Sequence, residues 1–257
     1  LSELLHGFAD FCLYGVHRIG HSKAVGLAQY RKKSHMLLNV CNKVPHISSF
    51  HKQEDHRLNS INMFFLEQEC GHLDNIVFMG MGEPMMNLEG IRKAIAVLTD
   101  KRGRNLSGRR ITLSTSGIIK GIYDLADNGP NIRLAVSLTT ANEDLRTELM
   151  PVNKGNPLPE LRKAIDYYAK KSGRRVTLEA ALLAGKNTDK ESAEKMISFA
   201  KGIDVNVNLI PWNPVATLPF TEPSNSEVHF FVNYLEKAGV NVTLRTKRGR
   251  KIGGACG

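Results

Sequence analysis

The sequence predicts an α/β fold in which a parallel sheet alternates with helices from residue 74 onward. Two observations lead to this prediction. Short β-rich runs recur along this part of the chain, and helical patterns with start and stop signals lie between several of them. Strand–helix repeats of this length are typical of parallel β/α units with right-handed crossovers. An open or closed β/α barrel is the expected form, with a doubly wound sheet as the rival.

The predicted strands are nearly continuous apolar runs, which indicates a sheet covered on both faces. They are Asn75–Met79, Ile111–Ser114, Ile132–Ser137, Arg175–Leu183, Val205–Ile210 and Val240–Arg245. One helix is expected over LPELRKAIDYYAKKSG, ending at Gly173. Two more are expected to begin at capping boxes, Thr188 with Glu191 and Ser224 with Glu227.

Residues 1–70 differ from the rest of the chain and form an unassigned, histidine-rich segment. Eight of the nine histidines lie within residues 1–72, and the segment has little clean periodicity. One helix is expected around 22–39. The predicted organisation is therefore an unassigned segment over 1–70 and a β/α domain over 71–257.

The composition limits the class of protein. With 257 residues and 42% hydrophobic content, the chain can bury a core. No stretch reaches about 18 consecutive apolar residues, so no membrane span is expected. Four cysteines are too few for a disulfide framework at this length, and a reducing cytoplasm is the expected location.

The chain carries a net charge of +10, which favours a polyanionic partner, with nucleic acid as the first candidate. Two clusters concentrate this charge: KRGRNLSGRR (Lys101 to Arg110) and RTKRGRK (Arg245 to Lys251). Both lie near predicted strand ends, where a binding face is expected.

Polar residues with Gly and Pro follow four of the predicted strands: GMGEP, STSG, SLTT and IPWNP. In either candidate fold, function lies at the carboxyl ends of the strands. We call each segment that directly follows a strand a strand exit. Ordinary loop chemistry explains each of these strand exits on its own, but the four together indicate one pocket. The carboxylate of Glu83, between Gly82 and Pro84, is unusual at such an exit and indicates a ligand.

Several motifs, in this order, resemble the radical S-adenosylmethionine (SAM) enzymes that methylate C2 of adenine in RNA, the RlmN/Cfr family. They are FMGMGEP, RRITLSTSGII, LAVSL, LRTELMPVN, VNLIPWNP and the terminal GGACG. The resemblance runs from about Gly71 to Gly257 and implies a partial (β/α)₆ barrel with SAM across its mouth. It implies an adenine in 23S ribosomal RNA, and also transfer RNA, as substrate. It further implies an electron donor such as flavodoxin if a cluster is present.

The resemblance also implies the site residues. Gly82 and Glu83 meet the methionine end of SAM, where the carboxylate accepts hydrogen bonds from the α-ammonium group. The remaining SAM-binding residues are expected at the later strand exits: Ser114, Ser137, Leu138, Thr139 and Asn213. The family usually has His at the position of Thr139.

Cys256 matches the cysteine that accepts a methyl group in this family. The implied route transfers a methyl group from SAM to the Cys256 sulfur. A second SAM is then cleaved reductively, and its radical removes a hydrogen from the S-methyl group, which adds to C2 of adenine. The reacting form is a thiolate, which nearby cations favour.

One family feature is missing from the sequence. Reductive cleavage of SAM needs a 4Fe–4S cluster held by Cys-x-x-x-Cys-x-x-Cys, and no such triplet occurs in this chain. The spacing of Cys12, Cys41 and Cys70 does not replace it. The resemblance stops abruptly near Gly71, which suggests a shifted reading frame, a wrong gene model or a replaced domain. Gly257 is expected to be a truncated end.

Three functions therefore compete. The first is a SAM-dependent RNA adenine-C2 methyltransferase. The second is an inactive relative that binds RNA or SAM but lacks the cluster. The third is an unrelated β/α-barrel enzyme for a small phosphorylated substrate, which is disfavoured because the chain has no Gly-rich phosphate loop.

Overall fold

A seven-stranded parallel sheet forms the centre of the molecule. The computed structural model describes residues 35–38, 75–79, 82–214 and 218–245. The strands pair in strict chain order. They are β1 (His35–Leu38), β2 (Asn75–Phe78), β3 (Ile111–Thr115), β4 (Arg133–Ser137), β5 (Val176–Leu182), β6 (Val205–Pro211) and β7 (Val242–Leu244).

Six α-helices and three short 3₁₀ helices connect the strands from β2 onward in the described residues. The α-helices are α1 (Leu88–Thr99), α2 (Ile119–Asn128), α3 (Glu143–Leu149), α4 (Leu158–Ser172), α5 (Lys190–Ala200) and α6 (Asn225–Lys237). The 3₁₀ helices are Pro84–Asn87, Gly108–Arg110 and Pro151–Gly155.

The strand order decides between the two predicted architectures. A doubly wound sheet reverses its strand order at a switch point, whereas this order runs from β1 to β7 without reversal. Successive right-handed crossovers then place all the connecting helices on the same face. The fold is therefore an α/β barrel-like sheet of the predicted kind, and the doubly wound alternative is wrong.

The two faces of the sheet differ sharply in polarity. The face beneath the helices is apolar: side chains such as Ile111, Leu113 and Val207 are fully buried and share one core with the apolar sides of the helices. The register places polar side chains on the other face, where most of them are half-buried or exposed. They include Thr112, Ser114, Arg133, Ser137, Thr177, Glu179, Asn206, Asn208 and Thr243.

This alternation corrects the expectation of a sheet that is apolar on both faces. In β6 the sequence VNVNLIP alternates strictly between buried and half-buried positions, so only one face is covered by helices. The uncovered face forms the interior of the partial barrel. It supplies hydrogen-bonding groups instead of a second apolar core.

Helix boundaries confirm some sequence predictions and correct another. α4 ends at Gly173 in the left-handed conformation, and α6 has the full capping box of Ser224 and Glu227, as predicted. α5 is capped by Asp189, not by Thr188. The Thr188 hydroxyl instead donates to a Glu227 carboxylate oxygen at 2.8 Å, because a tertiary partner competes for it.

The segment before residue 71 contributes β1, which pairs in parallel with β2 along four residues. The predicted helix over 22–39 is therefore wrong at residues 35–38, and the rest of that helix lies outside the described residues. The division of the chain at residue 70 remains a prediction. Among the described helices, none combines the length and apolar character needed to cross a membrane.

Candidate functional site

Buried polar side chains concentrate at the carboxyl edge of the sheet. In the described part of the chain, each of them lies at the carboxyl end of a strand or in the loop or helical segment that follows directly. They are Ser114, Thr115, Thr139, Thr140, Arg146, Asn153, Asn187, Thr188 and Ser192. Buried polar groups need hydrogen-bond partners, so this edge is where the fold holds its loops by specific bonds.

Glu83 joins the first two strand exits. One carboxylate oxygen accepts from the Met85 amide at 3.0 Å and caps the Pro84–Asn87 turn. The other accepts from the Ser116 amide at 2.8 Å and from the Ser116 hydroxyl at 2.6 Å. A carboxylate has about four acceptor positions, so these three bonds leave one direction for a ligand. Gly82, which precedes it, has a φ of 95° that favours glycine.

Arg146 joins the second exit to the third. Its side chain is fully buried and donates to the carbonyls of Ser116 at 2.7 Å, Leu138 at 3.2 Å and Ser137 at 3.4 Å. A Cβ at Gly117, whose φ is +103°, would approach the Arg146 guanidinium to 3.0 Å. Glycine in STSG therefore lets the loop pass the arginine closely.

A polar relay compensates the buried charge of Arg146. Its guanidinium donates to the Asn153 side-chain oxygen, and the Asn153 amide donates to a Glu143 carboxylate oxygen. The other Glu143 oxygen accepts from the Leu158 amide at 3.0 Å. Burial lowers the pKa of Arg146 to about 10, with the Glu143 charge opposing the shift, so the guanidinium is charged at neutral pH.

Glu179 on β5 places a carboxylate on the polar face, two strands away from its hydrogen-bond partner Ser114. Ser114 on β3 donates a hydrogen bond to it. On β4, between them, the register puts the small residues Ala135 and Ser137, which leave the path open. Burial raises the pKa of Glu179, while the charge of Arg245 and the bond from Ser114 oppose that shift. The residue as a whole is half-buried, because the interior of the partial barrel is open.

Thr139 has a φ of 62°, an unusual conformation for a β-branched residue. Its amide donates to the Glu179 carbonyl at 2.9 Å, and its own carbonyl accepts from Asn187 at 3.1 Å. Asn187 also binds the Leu183 amide and the Ala181 carbonyl. Such strained residues, held by their surroundings, cluster at ligand sites.

The structure places each predicted SAM-binding residue of the described part at the carboxyl edge. Ser116 bonds Glu83, and Arg146 connects Ser116 to Ser137 and Leu138. Glu179 accepts from the Ser114 side chain and from the Thr139 amide, and it pairs with Ser137 in the strand register. Asn213 is half-buried two residues after β6. Cys256, together with residues 246–251 of the second basic cluster, lies outside the described residues.

The first basic cluster is not at this edge. Lys101 to Arg110 lie between the end of α1 and the start of β3, so they occupy the amino edge of the sheet. The cluster lies near a strand end, as expected, but at the start of β3 and not at a strand exit. A loop that leads from a helix into a strand always lies opposite the strand exits in a parallel β/α fold.

Sequence reasoning missed three residues of the site. Glu179 has a visible signal, since it is a lone carboxylate inside the apolar strand VTLEAAL. Arg146 and Ser116 lie within the motifs LRTELMPVN and STSG, but their roles depend on contacts across 30 and 33 residues, which no local pattern reveals.

The described residues do not fit a metal cluster. None of the four cysteines falls within them, and no group of three or more His, Cys, Asp or Glu side chains there could hold a metal ion. The same edge does fit a small polar ligand, because hydroxyls, carboxylates and strained backbone converge there.

Comparison with known proteins agrees with this architecture. The radical SAM superfamily model matches residues 52–200. A probable dual-specificity RNA methyltransferase RlmN of Treponema denticola is 62% identical over 192 residues, covering 75% of this chain and 55% of the relative. Its counterpart in Treponema pallidum is 54% identical, covering 75% of this chain and 56% of the relative.

A solved structure gives the same answer at the level of fold. The crystal structure of a radical SAM methyltransferase from Sphaerobacter thermophilus is 38% identical, with a TM-score of 0.73, and covers 79% of this chain and 59% of that chain. This chain spans about half the length of the curated relatives it matches. The family match covers more than half of the chain itself, and the chain belongs to the radical SAM superfamily.

Proposed function

We propose that this chain acts in SAM-dependent methylation of C2 of an adenine in ribosomal RNA, and also in transfer RNA. The observation that carries the proposal is that hydrogen bonds of Glu83 and Arg146 join the strand exits on the polar side of a radical SAM barrel. The 62% identity to a relative named as an RNA methyltransferase supports RNA as the substrate. The cytoplasm is the proposed location, and if a cluster is bound, the proposed electron donor is a protein such as flavodoxin.

SAM is proposed to bind at the carboxyl edge. Its α-ammonium group needs an acceptor, and Glu83 retains one free direction beside its three internal bonds. Its hydroxyls and adenine need donors and acceptors, which Ser114, Thr139 and Asn213 offer. Ser137 and Leu138 follow at the end of β4, where the Leu138 amide donates to the Glu179 carbonyl and the Leu138 carbonyl accepts from Arg146, so they are proposed to shape the site. When bound, SAM supplies an electrophilic methyl group.

Cys256 is proposed to accept that methyl group. The Cys256 thiolate attacks the methyl carbon, a new S–C bond forms, and the methyl–sulfonium bond breaks with its electron pair kept by the leaving sulfur. The products are S-methylcysteine and a neutral thioether. Nearby cations favour a thiolate over a thiol, and the second basic cluster closely precedes Cys256 in the sequence.

The radical half of the reaction lacks its ligands in this chain. It requires the 4Fe–4S cluster, and neither the sequence nor the described residues provide the cysteine triplet that holds it. This absence is the observation behind the second candidate function, a relative that binds SAM and RNA without completing the methylation of adenine.

Two measurements separate the candidates. Iron and sulfide are quantified after anaerobic reconstitution, and RNA nucleosides and the C-terminal peptide are analysed by mass spectrometry after incubation with SAM and a reductant. The methyltransferase predicts about four irons per chain and methylated adenine. The cluster-free relative predicts no bound iron, unmodified RNA, and at most one added methyl group on Cys256.

A further inference from the structure

The positive charge of the described chain is concentrated at the amino edge of the sheet, opposite the candidate site. The four loops that lead into β3, β4, β5 and β6, taken together with the first residue of β4 and the last residue of α4 (residues 100–110, 129–133, 172–175 and 201–204), hold nine cations and two acids. The cations are Lys101, Arg102, Arg104, Arg109, Arg110, Arg133, Arg174, Arg175 and Lys201. We call these four loops the basic edge. The whole chain has a net charge of +10, so this edge carries most of it.

Close backbone packing fixes three of the loops against one another. A Cβ at Gly108 would meet the Asn131 carbonyl oxygen at 2.6 Å. The Arg174 guanidinium donates to that same carbonyl at 3.0 Å and to the Asn131 side chain. The Asn131 amide donates to the Ser172 carbonyl at 3.0 Å. The cations on these loops are therefore presented on a preformed surface.

Three of these cations have no intramolecular partner within the described residues. Lys101, Arg109 and Arg133 are exposed, and their side chains form no ion pair or hydrogen bond there. By contrast, Arg102 pairs with Asp100 at 2.8 Å and Arg175 with Asp204 at 2.7 Å. An unpaired cation beside other cations raises the local potential and attracts a polyanion.

We propose that the basic edge binds the phosphate backbone of the RNA substrate, as a contact surface separate from the SAM site. The inference rests on the proposed function. Seven of the nine cations are arginines, whose planar guanidinium groups match phosphate geometry. The four loops expose no large apolar side chain, so they lack the anchors that a membrane-surface site uses.

The surface contributes affinity and not chemistry. Strands of five to seven residues separate the basic edge from the strand exits, a distance of roughly 17–23 Å at about 3.3 Å per residue. The RNA must therefore extend along the side of the barrel, with one segment at the basic edge while another reaches the SAM site. Loss of the basic edge weakens RNA binding and leaves SAM binding unchanged.

The test compares two triple variants of equal charge. The edge variant is Lys101→Gln, Arg109→Gln and Arg133→Gln. The control variant is Lys93→Gln, Lys163→Gln and Lys195→Gln, which removes three cations from α1, α4 and α5 that pair with acids on their own helices. Binding to an unmodified transfer RNA transcript is followed by fluorescence anisotropy from about 50 to 300 mM salt, and SAM binding by calorimetry.

The edge variant is expected to reduce the slope of log K against log salt by about 2–3 units, and the control variant by less than about 1. Affinity of the edge variant at about 0.1 M salt should fall at least tenfold. If the two variants have equal slopes of log K against log salt while the wild type still binds RNA, the basic edge is not an RNA-binding surface, and the proposed function is unaffected. Edge-dependent binding to phosphatidylserine vesicles that is as tight as binding to RNA overturns the assignment to RNA. A wild-type chain that binds neither SAM nor RNA overturns the proposed function as well.

Discussion

Replacing Arg146 by lysine tests whether this residue organises the strand exits. The change keeps the positive charge and removes the planar fork that reaches three carbonyls and Asn153. A lysine ammonium has three donors on one nitrogen, so it cannot span the carbonyls of Ser116 and Leu138 together. Some carbonyls of the loops then remain buried without a partner.

The expected cost follows from these contacts. A hydrogen bond to a charged group contributes about 1.5–3 kcal/mol, and disrupting a buried charge network costs about 3–5 kcal/mol. Because lysine keeps the charge and part of the bonding, we expect Arg146→Lys to lose about 2–4 kcal/mol of unfolding free energy. That is a substantial fraction of a typical total of about 5–15 kcal/mol. SAM affinity should fall about tenfold, because the strand exits that Arg146 holds by hydrogen bonds then shift.

Arg162→Lys is the matched control for this experiment. Arg162 also donates to two carbonyls, those of Phe199 and Lys201, but it lies partly exposed on α4 and away from the strand exits. Its replacement should cost only about 0.5–1.5 kcal/mol, the net contribution of a typical hydrogen bond, and leave SAM affinity unchanged. Urea unfolding and calorimetry measure both quantities. Equal losses of stability and of SAM affinity in the two variants would refute the organising role of Arg146.

Three further predictions concern carboxylates. Burial raises the pKa of Glu179, so the wild type loses stability as the pH rises above the unfolded pKa of about 4.3. Glu179→Gln should therefore gain stability relative to the wild type as the pH rises above about 4.3 in urea unfolding, and a difference that does not change with pH would contradict this. Hydrogen bonds from Ser224 and Thr188 lower the pKa of Glu227 to about 2, so the stability that these bonds contribute is present above about pH 4.3 and is lost as the pH falls toward 2. Glu227→Gln should therefore be less stable than the wild type at pH 7 and equally stable near pH 2. A loss of stability that persists near pH 2 argues against the cap. Glu83→Ala should weaken SAM binding by about 1.5–3 kcal/mol, and an unchanged calorimetric affinity would exclude Glu83 from the site.

Local patterns predicted much of the fold. The strand runs, the end of α4 at Gly173 and the capping box of Ser224 with Glu227 follow from residue periodicity and helix-end chemistry, both encoded within a few positions. The strand exits were also predictable, because polar residues with Gly and Pro follow the apolar runs. These signals were sufficient to predict a β/α barrel and the edge that holds the candidate site.

The errors arose where contacts distant in sequence decide the structure. β1 forms because residues 35–38 pair with β2, about forty positions later, although the local pattern favours a helix. Thr188 and Asp189 are both good caps, and the contact of Thr188 with Glu227 decides between them. Arg146 was missed because arginine is rarely fully buried and nothing nearby in sequence shows its partners.

The most direct test of the central claim is SAM binding to a variant of the polar face. Ser114→Ala removes a hydroxyl near the carboxyl end of β3, while Thr112→Val, the control, removes a hydroxyl from the same face two residues nearer the amino edge. If SAM binds at the strand exits, calorimetry should show at least about a tenfold loss of affinity for Ser114→Ala, roughly 1.4 kcal/mol, and less than about a twofold change for Thr112→Val. Equal affinities in the wild type and Ser114→Ala, or no SAM binding by the wild-type chain, would contradict the account.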